Sequence, residues 1–251
     1  MRKVLFGIVY ALVKAGDPWS DAAVQKAFAP YDYCLLVQEG FTKLERTKGI
    51  APADRFNPCS TYKLPHALMA LDLGVVTPET VLHCDGKECH ADHGDIRMAE
   101  AIRQSCVGYF RQVARRIGKV GEQAELKKLG YPVTTIQDPI DQFWLHGAFK
   151  VSAAEQLDWV RNFYTEDFGL RPGVQAVVRA MSEKRRTPAW TLYGKTGSSQ
   201  AGADGVAHGW FIGEVHWADG RRSIVSLVIR GKGPDFLGVD AQKRLESLLG
   251  A

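Results

Sequence analysis

Gly209-Trp210-Phe211-Ile212-Gly213-Glu214-Val215-His216-Trp217, then Ala218-Asp219-Gly220-Arg221-Arg222, then Ser223-Ile224-Val225-Ser226-Leu227-Val228-Ile229 is the stretch that decides the fold class. Gly209 to Trp217 alternates as a strand does, Asp219-Gly220 is a hairpin-turn dipeptide, and Ser223 to Ile229 is a strongly apolar second strand. Upstream, Thr191 to Lys195 reads as a further strand that runs into a Gly-rich loop. The other end of the chain has the same character. Cys34-Leu35-Leu36-Val37-Gln38 is a buried run, Glu39-Gly40 turns, and Thr42 to Arg46 alternates.

Between these ends the period changes to that of helices. Leu64, Ala67, Leu68 and Leu71 share one helix face, as do Tyr109, Phe110, Val113, Ala114 and Ile117. Ser152-Ala153-Ala154-Glu155 is a capping box that opens a helix with Leu157, Val160 and Phe163 inward. Val174, Val177, Val178 and Met181 mark another helix, and Ala241 to Leu249 a closing one. The pattern predicts an α+β fold: a central antiparallel sheet built from N- and C-terminal strands, flanked by helices, with an inserted helical lobe. A cleft is expected where lobe meets sheet. There is no internal repeat and no low-complexity linker.

The chain has 251 residues, 32 Lys+Arg against 28 Asp+Glu, and a hydrophobic fraction of 45%, which excludes a disordered chain. A formal charge of +4 without a dominant basic block excludes a nucleic-acid footprint, and Lys184-Arg185-Arg186 reads as solvated surface. Met1-Arg2-Lys3 followed by the apolar run Val4 to Val13 reads as an export signal over residues 1–15, ahead of one domain over 16–251. A buried N-terminal helix or strand is the other reading. The run is too short to span a bilayer, and no other segment looks transmembrane.

Five cysteines, Cys34, Cys59, Cys84, Cys89 and Cys106, leave at least one unpaired. Cys84 and Cys89 flank a turn that a short disulfide could close. His83, His90 and His93 crowd the same segment, but their spacing matches no standard zinc site, and no metal ligand is assigned.

Three separated segments carry chemistry. Ser60-Thr61-Tyr62-Lys63 stands ahead of an apolar helix, and residues three apart share a helix face, so the Ser60 hydroxyl can meet the Lys63 amine. A serine becomes a good nucleophile when a neighbouring base takes its proton. Ser105-Cys106-Val107 falls between two helices, and Lys195-Thr196-Gly197-Ser198 ends a strand. In this order the three resemble the motifs of active-site serine penicillin-recognising enzymes. Asn57 to Pro65, Ala70-Leu71-Asp72-Leu73-Gly74 and Asp141-Gln142-Phe143-Trp144-Leu145 narrow the resemblance to class D β-lactamases, over most of the chain from Trp19 onward.

That resemblance implies a β-lactamase/transpeptidase-like fold and hydrolysis of the β-lactam amide of penicillin-type antibiotics. Ser60 would form the acyl-enzyme. Lys63, carboxylated by carbon dioxide, would be the general base, inside an apolar pocket of Val107, Phe110, Trp144 and Leu145, with the Trp144 indole N–H on the carbamate. Ser105 and Lys195 would pass a proton to the leaving nitrogen. Lys195 and Thr196 would also help hold the substrate carboxylate; Thr196, Gly197 and Ser198, with Val107 and Trp144, would bind substrate, and the backbone N–H groups of Ser60 and Ser198 would form the oxyanion hole. No cofactor beyond the carbamate is expected. The implied location is the periplasm, and monomer and homodimer are both left open.

The alternative is a penicillin-binding sensor or cell-wall peptidase relative that is acylated without efficient turnover. If the two serines converge on a cleft, Cys59 and Cys106 beside them are expected either to pair or to remain buried thiols. Two departures from the family pattern bear on substrate range. Tyr131-Pro132-Val133 replaces Tyr-Gly-Asn, and Asp235 to Ala241 lacks the arginine that grips the substrate carboxylate, which leaves Arg230 or Lys232 as substitutes.

Overall fold

A computed structural model describes residues 17–85, 94–232 and 237–250. The expected signal segment lies outside the described residues. In chain order come helix α1 (Asp21–Phe28), strands β1 (Asp32–Glu39), β2 (Thr42–Lys48) and β3 (Arg55–Phe56), and a 3₁₀ turn (Cys59–Tyr62) that runs directly into helix α2 (Lys63–Asp72). Strands β4 (Val81–Cys84) and β5 (Gly94–Arg97), helices α3 (Met98–Arg103) and α4 (Val107–Lys128), strand β6 (Val151–Ser152), and helices α5 (Ala153–Thr165) and α6 (Val174–Met181) complete the middle. Strands β7 (Glu183–Arg186), β8 (Trp190–Ser198), β9 (Val206–Trp217) and β10 (Arg222–Lys232) and helix α7 (Leu237–Leu248) follow.

Six strands form one antiparallel sheet in the order β2-β1-β10-β9-β8-β7, so strands from both ends of the chain do meet. The apolar run in β10 is explained by its place in that sheet. Val225, Leu227 and Ile229 pack with α1 and α7 on one face, while Ile224 and Val228 join the helical lobe on the other. A strand covered on both faces loses the alternation of a half-exposed one. The β9–β10 turn places Gly220 at φ 87, where a residue without Cβ is favoured.

The capping box forms as expected: Glu155 N–H donates to Ser152 Oγ at 3.2 Å, and Ser152 N–H to Glu155 Oε2 at 2.8 Å. It fixes the start of α5, whose Leu157, Val160 and Phe163 are fully buried. Other boundaries differ from the sequence reading. α7 begins at Leu237 and not at Ala241, and α4 is broken at Gly118, which adopts φ 74. Helix α1 and the two-stranded pairs β3–β6 and β4–β5 had no clear periodic signal.

Of the two outcomes left open for Cys59 and Cys106, the mutual disulfide does not form, and of the pair only Cys59 is a buried free thiol. Cys106 is bonded to Cys84, and Cys59 and Cys34 are buried free thiols. Ser60 and Ser105 both line the cleft, but their neighbours turn to different partners: Cys59 Sγ lies 3.7 Å from His208 Nε2 on β9, while Cys106 caps α4 and is bonded to Cys84 of β4. The proposed partner of Cys84, Cys89, lies outside the described residues, as do His90 and His93. His83 Nδ1 is 2.9 Å from Asp95 Oδ1.

Candidate active site

The 3₁₀ turn brings Ser60 to the mouth of the lobe. Cys59 N–H donates to the Trp144 carbonyl at 2.8 Å, the Thr61 hydroxyl donates to the Pro58 carbonyl at 2.7 Å, and Gln156 Nε2 donates to that hydroxyl at 2.9 Å. These bonds hold Cys59 at φ 50, a conformation costly for a residue with a Cβ and found preferentially at functional turns. Ser105, in the break between α3 and α4, sits at φ 60. The helical spacing then works as expected: Lys63 Nζ donates to Ser60 Oγ at 2.6 Å.

Lys63 has no solvent exposure, and its amine lies 5.7 Å from the centre of the Phe110 ring. Burial among apolar groups penalises the ammonium and lowers its pKa from 10.5 to about 7; the Cys59 thiol opposes this and the Lys184 charge adds to it. The buried Trp144 Nε1–H has no hydrogen-bond partner among the described residues. A buried donor left unsatisfied is costly, so an acceptor on the Lys63 amine suits this pocket. A carbamate is such an acceptor, and the neutral amine that it needs is favoured here. The donor set fits the group.

On the sheet side, Lys195 Nζ donates to Ser105 Oγ at 2.9 Å, to the Thr196 carbonyl at 3.0 Å and to Thr196 Oγ1 at 3.3 Å. Lys195 is also fully buried, and burial, then the charges of Lys184 and Lys63, hold its pKa well below the usual lysine range. Gly197 is required by close approach: a Cβ there would lie 2.7 Å from the Pro58 carbonyl oxygen. With glycine, β8 packs directly on the Ser60 turn and carries Ser198 alongside it. The Ser198 hydroxyl accepts from Gly238 N–H at 3.0 Å.

Ser60, Ser105, Val107, Leu145, Thr196, Gly197 and Ser198 all line one cleft of about 1030 Å³, with Lys63, Phe110 and Trp144 buried behind its lobe wall and Lys195 buried in β8. The structure therefore assembles the predicted set in one place. No carboxylate lines the cleft among the described residues, whereas Arg103, Arg111, Lys184 and Arg230 do. Of the two suggested substitutes for the missing arginine, Lys232 is exposed at the end of β10, and Arg230 is held by Asp32 at 2.8 Å and the Gly49 carbonyl at 3.1 Å. Tyr131 is buried against Tyr62 and Phe149, behind the cleft.

Sequence reasoning missed two features. Lys184 does not lie on the solvated surface; it lines the cleft. A second omission is a buried polar group behind the lysine pocket. Tyr62 donates to Glu122 Oε1 at 2.9 Å, His66 Nε2 is 2.6 Å from the same oxygen, and the His66 ring sits edge-on to Trp144 at 4.6 Å. Glu122 lies one turn before the apolar Leu126 on the same face of the second half of α4, and nothing local in the sequence marks its closeness to His66 on α2.

Comparison with known proteins agrees with this geometry. Residues 39–247 match the family model of the penicillin-binding protein transpeptidase domain. The chain is 33% identical to β-lactamase OXA-10 of Pseudomonas aeruginosa over 176 residues, 67% of this chain and 65% of that protein. It is 31% identical to OXA-48 of Klebsiella pneumoniae over 186 residues, 72% and 68% of the two chains. The class D β-lactamase BAT-2 delta mutant superposes with a TM-score of 0.78 at 27% identity, covering 90% of this chain and 94% of that one. The C-terminal domain of the Bacillus licheniformis BlaR penicillin receptor shares the fold, with a TM-score of 0.81 at 24% identity over 90% and 93% of the chains. Fold and site thus define a penicillin-binding transpeptidase-type domain. Within that group, the chain belongs to the class D β-lactamase family. It spans about two thirds of the length of the curated relatives that it matches.

Proposed function

We propose that the protein hydrolyses the β-lactam amide of penicillin-type antibiotics through an acyl-enzyme on Ser60. The observation that carries this reading is the meeting of two serine–lysine pairs, Ser60–Lys63 and Ser105–Lys195, across one cleft, with Lys63 buried and its amine easily neutral. The Ser60 hydroxyl loses its proton towards the Lys63 side as its oxygen bonds to the lactam carbonyl carbon. Backbone N–H groups of Ser60 and Ser198 stabilise the resulting oxyanion. Ser105 gives its proton to the departing ring nitrogen and is resupplied through Lys195, after which water releases the acyl group from Ser60. When bound, a carbamate on Lys63, held by Trp144 Nε1–H, supplies the general base for both halves. Val107, Phe110 and Leu145 keep bulk water from that position.

The basic start and the apolar run Val4 to Val13 support export to the periplasm as part of this reading. So does the Cys84–Cys106 disulfide, since disulfides persist in oxidising compartments. No described helix is long and apolar enough to cross a membrane.

The test is loss of penicillin absorbance on incubation with purified protein in bicarbonate buffer. Turnover that disappears in Ser60→Ala is expected. A wild-type protein without turnover between pH 5 and 9 contradicts the proposal.

A further inference from the structure

Strand β7 is the edge of the main sheet, and its three basic residues do not behave alike. Arg185 donates to Glu246 Oε2 at 2.8 Å, and Arg186 to Glu183 Oε2 at 2.7 Å, so both are spent on carboxylates outside the cleft. Lys184 lies between Glu183, which pairs with Tyr193, and Arg185, which pairs with Leu192; it is the extra residue of a β-bulge. Bulges redirect a side chain and recur next to active sites. Here the bulge turns Lys184 into the cleft, where it lines the wall with Ser60 and Ser105. It has no hydrogen bond or ion pair among the described residues.

Lys195, Arg230 and Arg103 are already engaged by groups of the protein. Lys195 already spends its three donors on Ser105 and Thr196, and an ammonium has no more than three. Arg230 is tied to Asp32 and Gly49. Arg103 reaches Glu100 at 3.5 Å and faces the same region as Lys184. A penicillin carries a carboxylate on the ring fused to its lactam. A half-buried ammonium with unspent donors, in a cleft lined by no described carboxylate, is complementary to it.

We propose that Lys184 holds the substrate's carboxylate and thereby sets the preference for anionic β-lactams. This assignment rests on the β-lactamase reading of the cleft. Lys184 lines the same cleft as Ser60 and Ser105, and its charge is felt by Lys195, the partner of Ser105. Burial and the Arg103 charge lower the pKa of Lys184 to about 8, so it remains mostly protonated at neutral pH.

The test compares a penicillin with its carboxyl methyl ester, reading the second-order rate of Ser60 acylation by intact mass, for wild type, Lys184→Gln and Lys184→Arg. Wild type is expected to prefer the acid. Lys184→Gln should lose about 10- to 100-fold on the acid, the worth of one charge-assisted hydrogen bond, with little change on the ester. Lys184→Arg should restore much of the preference, and thermal melting should show all three folded. Equal losses on acid and ester would assign Lys184 to tuning Lys63 or Lys195 and overturn the proposal, as would an unchanged acid rate. A wild type acylated by neither compound would instead overturn the β-lactamase reading itself, and the assignment with it.

Discussion

At the scale of single residues, Lys63 shows what burial does to chemistry and to stability together. Acylation needs its amine free of the extra proton, so kcat/KM is expected to rise with pH along an acidic limb centred near 7. A limb absent down to pH 5 would mean that another group takes the Ser60 proton. The same depressed pKa destabilises the fold. Between about 7 and the ordinary lysine value of 10.5 the unfolded chain binds a proton that the native state does not, so stability rises with pH across that window. Below it the penalty is complete. Lys63→Met should therefore reduce acylation by a factor of ~10² to 10⁴, the usual contribution of a general base, and raise Tm at pH 6. A fall in Tm would show that Lys63 stabilises the pocket. The Ser60–Lys63 spacing was legible because a helical turn imposes it. Lys184 was not, because its aim depends on a register slip between two strands that no local pattern encodes.

At the scale of elements, the site depends on two contacts. Where β8 meets the Ser60 turn, Gly197→Ala would push a methyl group to 2.7 Å from the Pro58 carbonyl. Acylation is expected to fall well beyond any change in Tm, because misplacement of an ångström disrupts attack geometry. An unaltered acylation rate in this variant would show that the turn has room to move. Between α2 and α4, the fully buried His66–Glu122 pair and Tyr62 back the lysine pocket. Removing Glu122 leaves the buried Tyr62 hydroxyl without its acceptor, so Glu122→Ala should cost about 1–3 kcal/mol in denaturant unfolding. The apolar double replacement His66→Leu with Glu122→Met should recover most of that loss, and its failure would give the network a role beyond packing. The capping box and apolar stripes of these helices could be read from sequence because they are local. The His66–Glu122 pair could not, since the two residues lie on different helices and neither marks the other.

Across the whole molecule, the sheet divides the interior into two apolar cores, one under α1 and α7 and one within the lobe that carries Ser60, Lys63 and Trp144. The class of architecture was legible from the apolar run of β10 and the change of period in the middle of the chain. The cysteine pairing was not, because it depends on which way Cys59 and Cys106 turn from the cleft. The Cys84–Cys106 bond closes 22 residues of chain within the lobe. Its reduction should lower stability by about 3 kcal/mol on the chain-entropy model, seen as a lower Tm. An unchanged Tm on full reduction would mean that the lobe is held by packing alone.

The central claim is that one cleft both forms and clears a Ser60 acyl-enzyme. It is tested most directly by a time course of intact protein mass after adding a penicillin in bicarbonate buffer. The account predicts an adduct on Ser60 that appears and then disappears as substrate is consumed. An adduct that persists for hours would contradict it, and would identify a protein that is acylated without turnover.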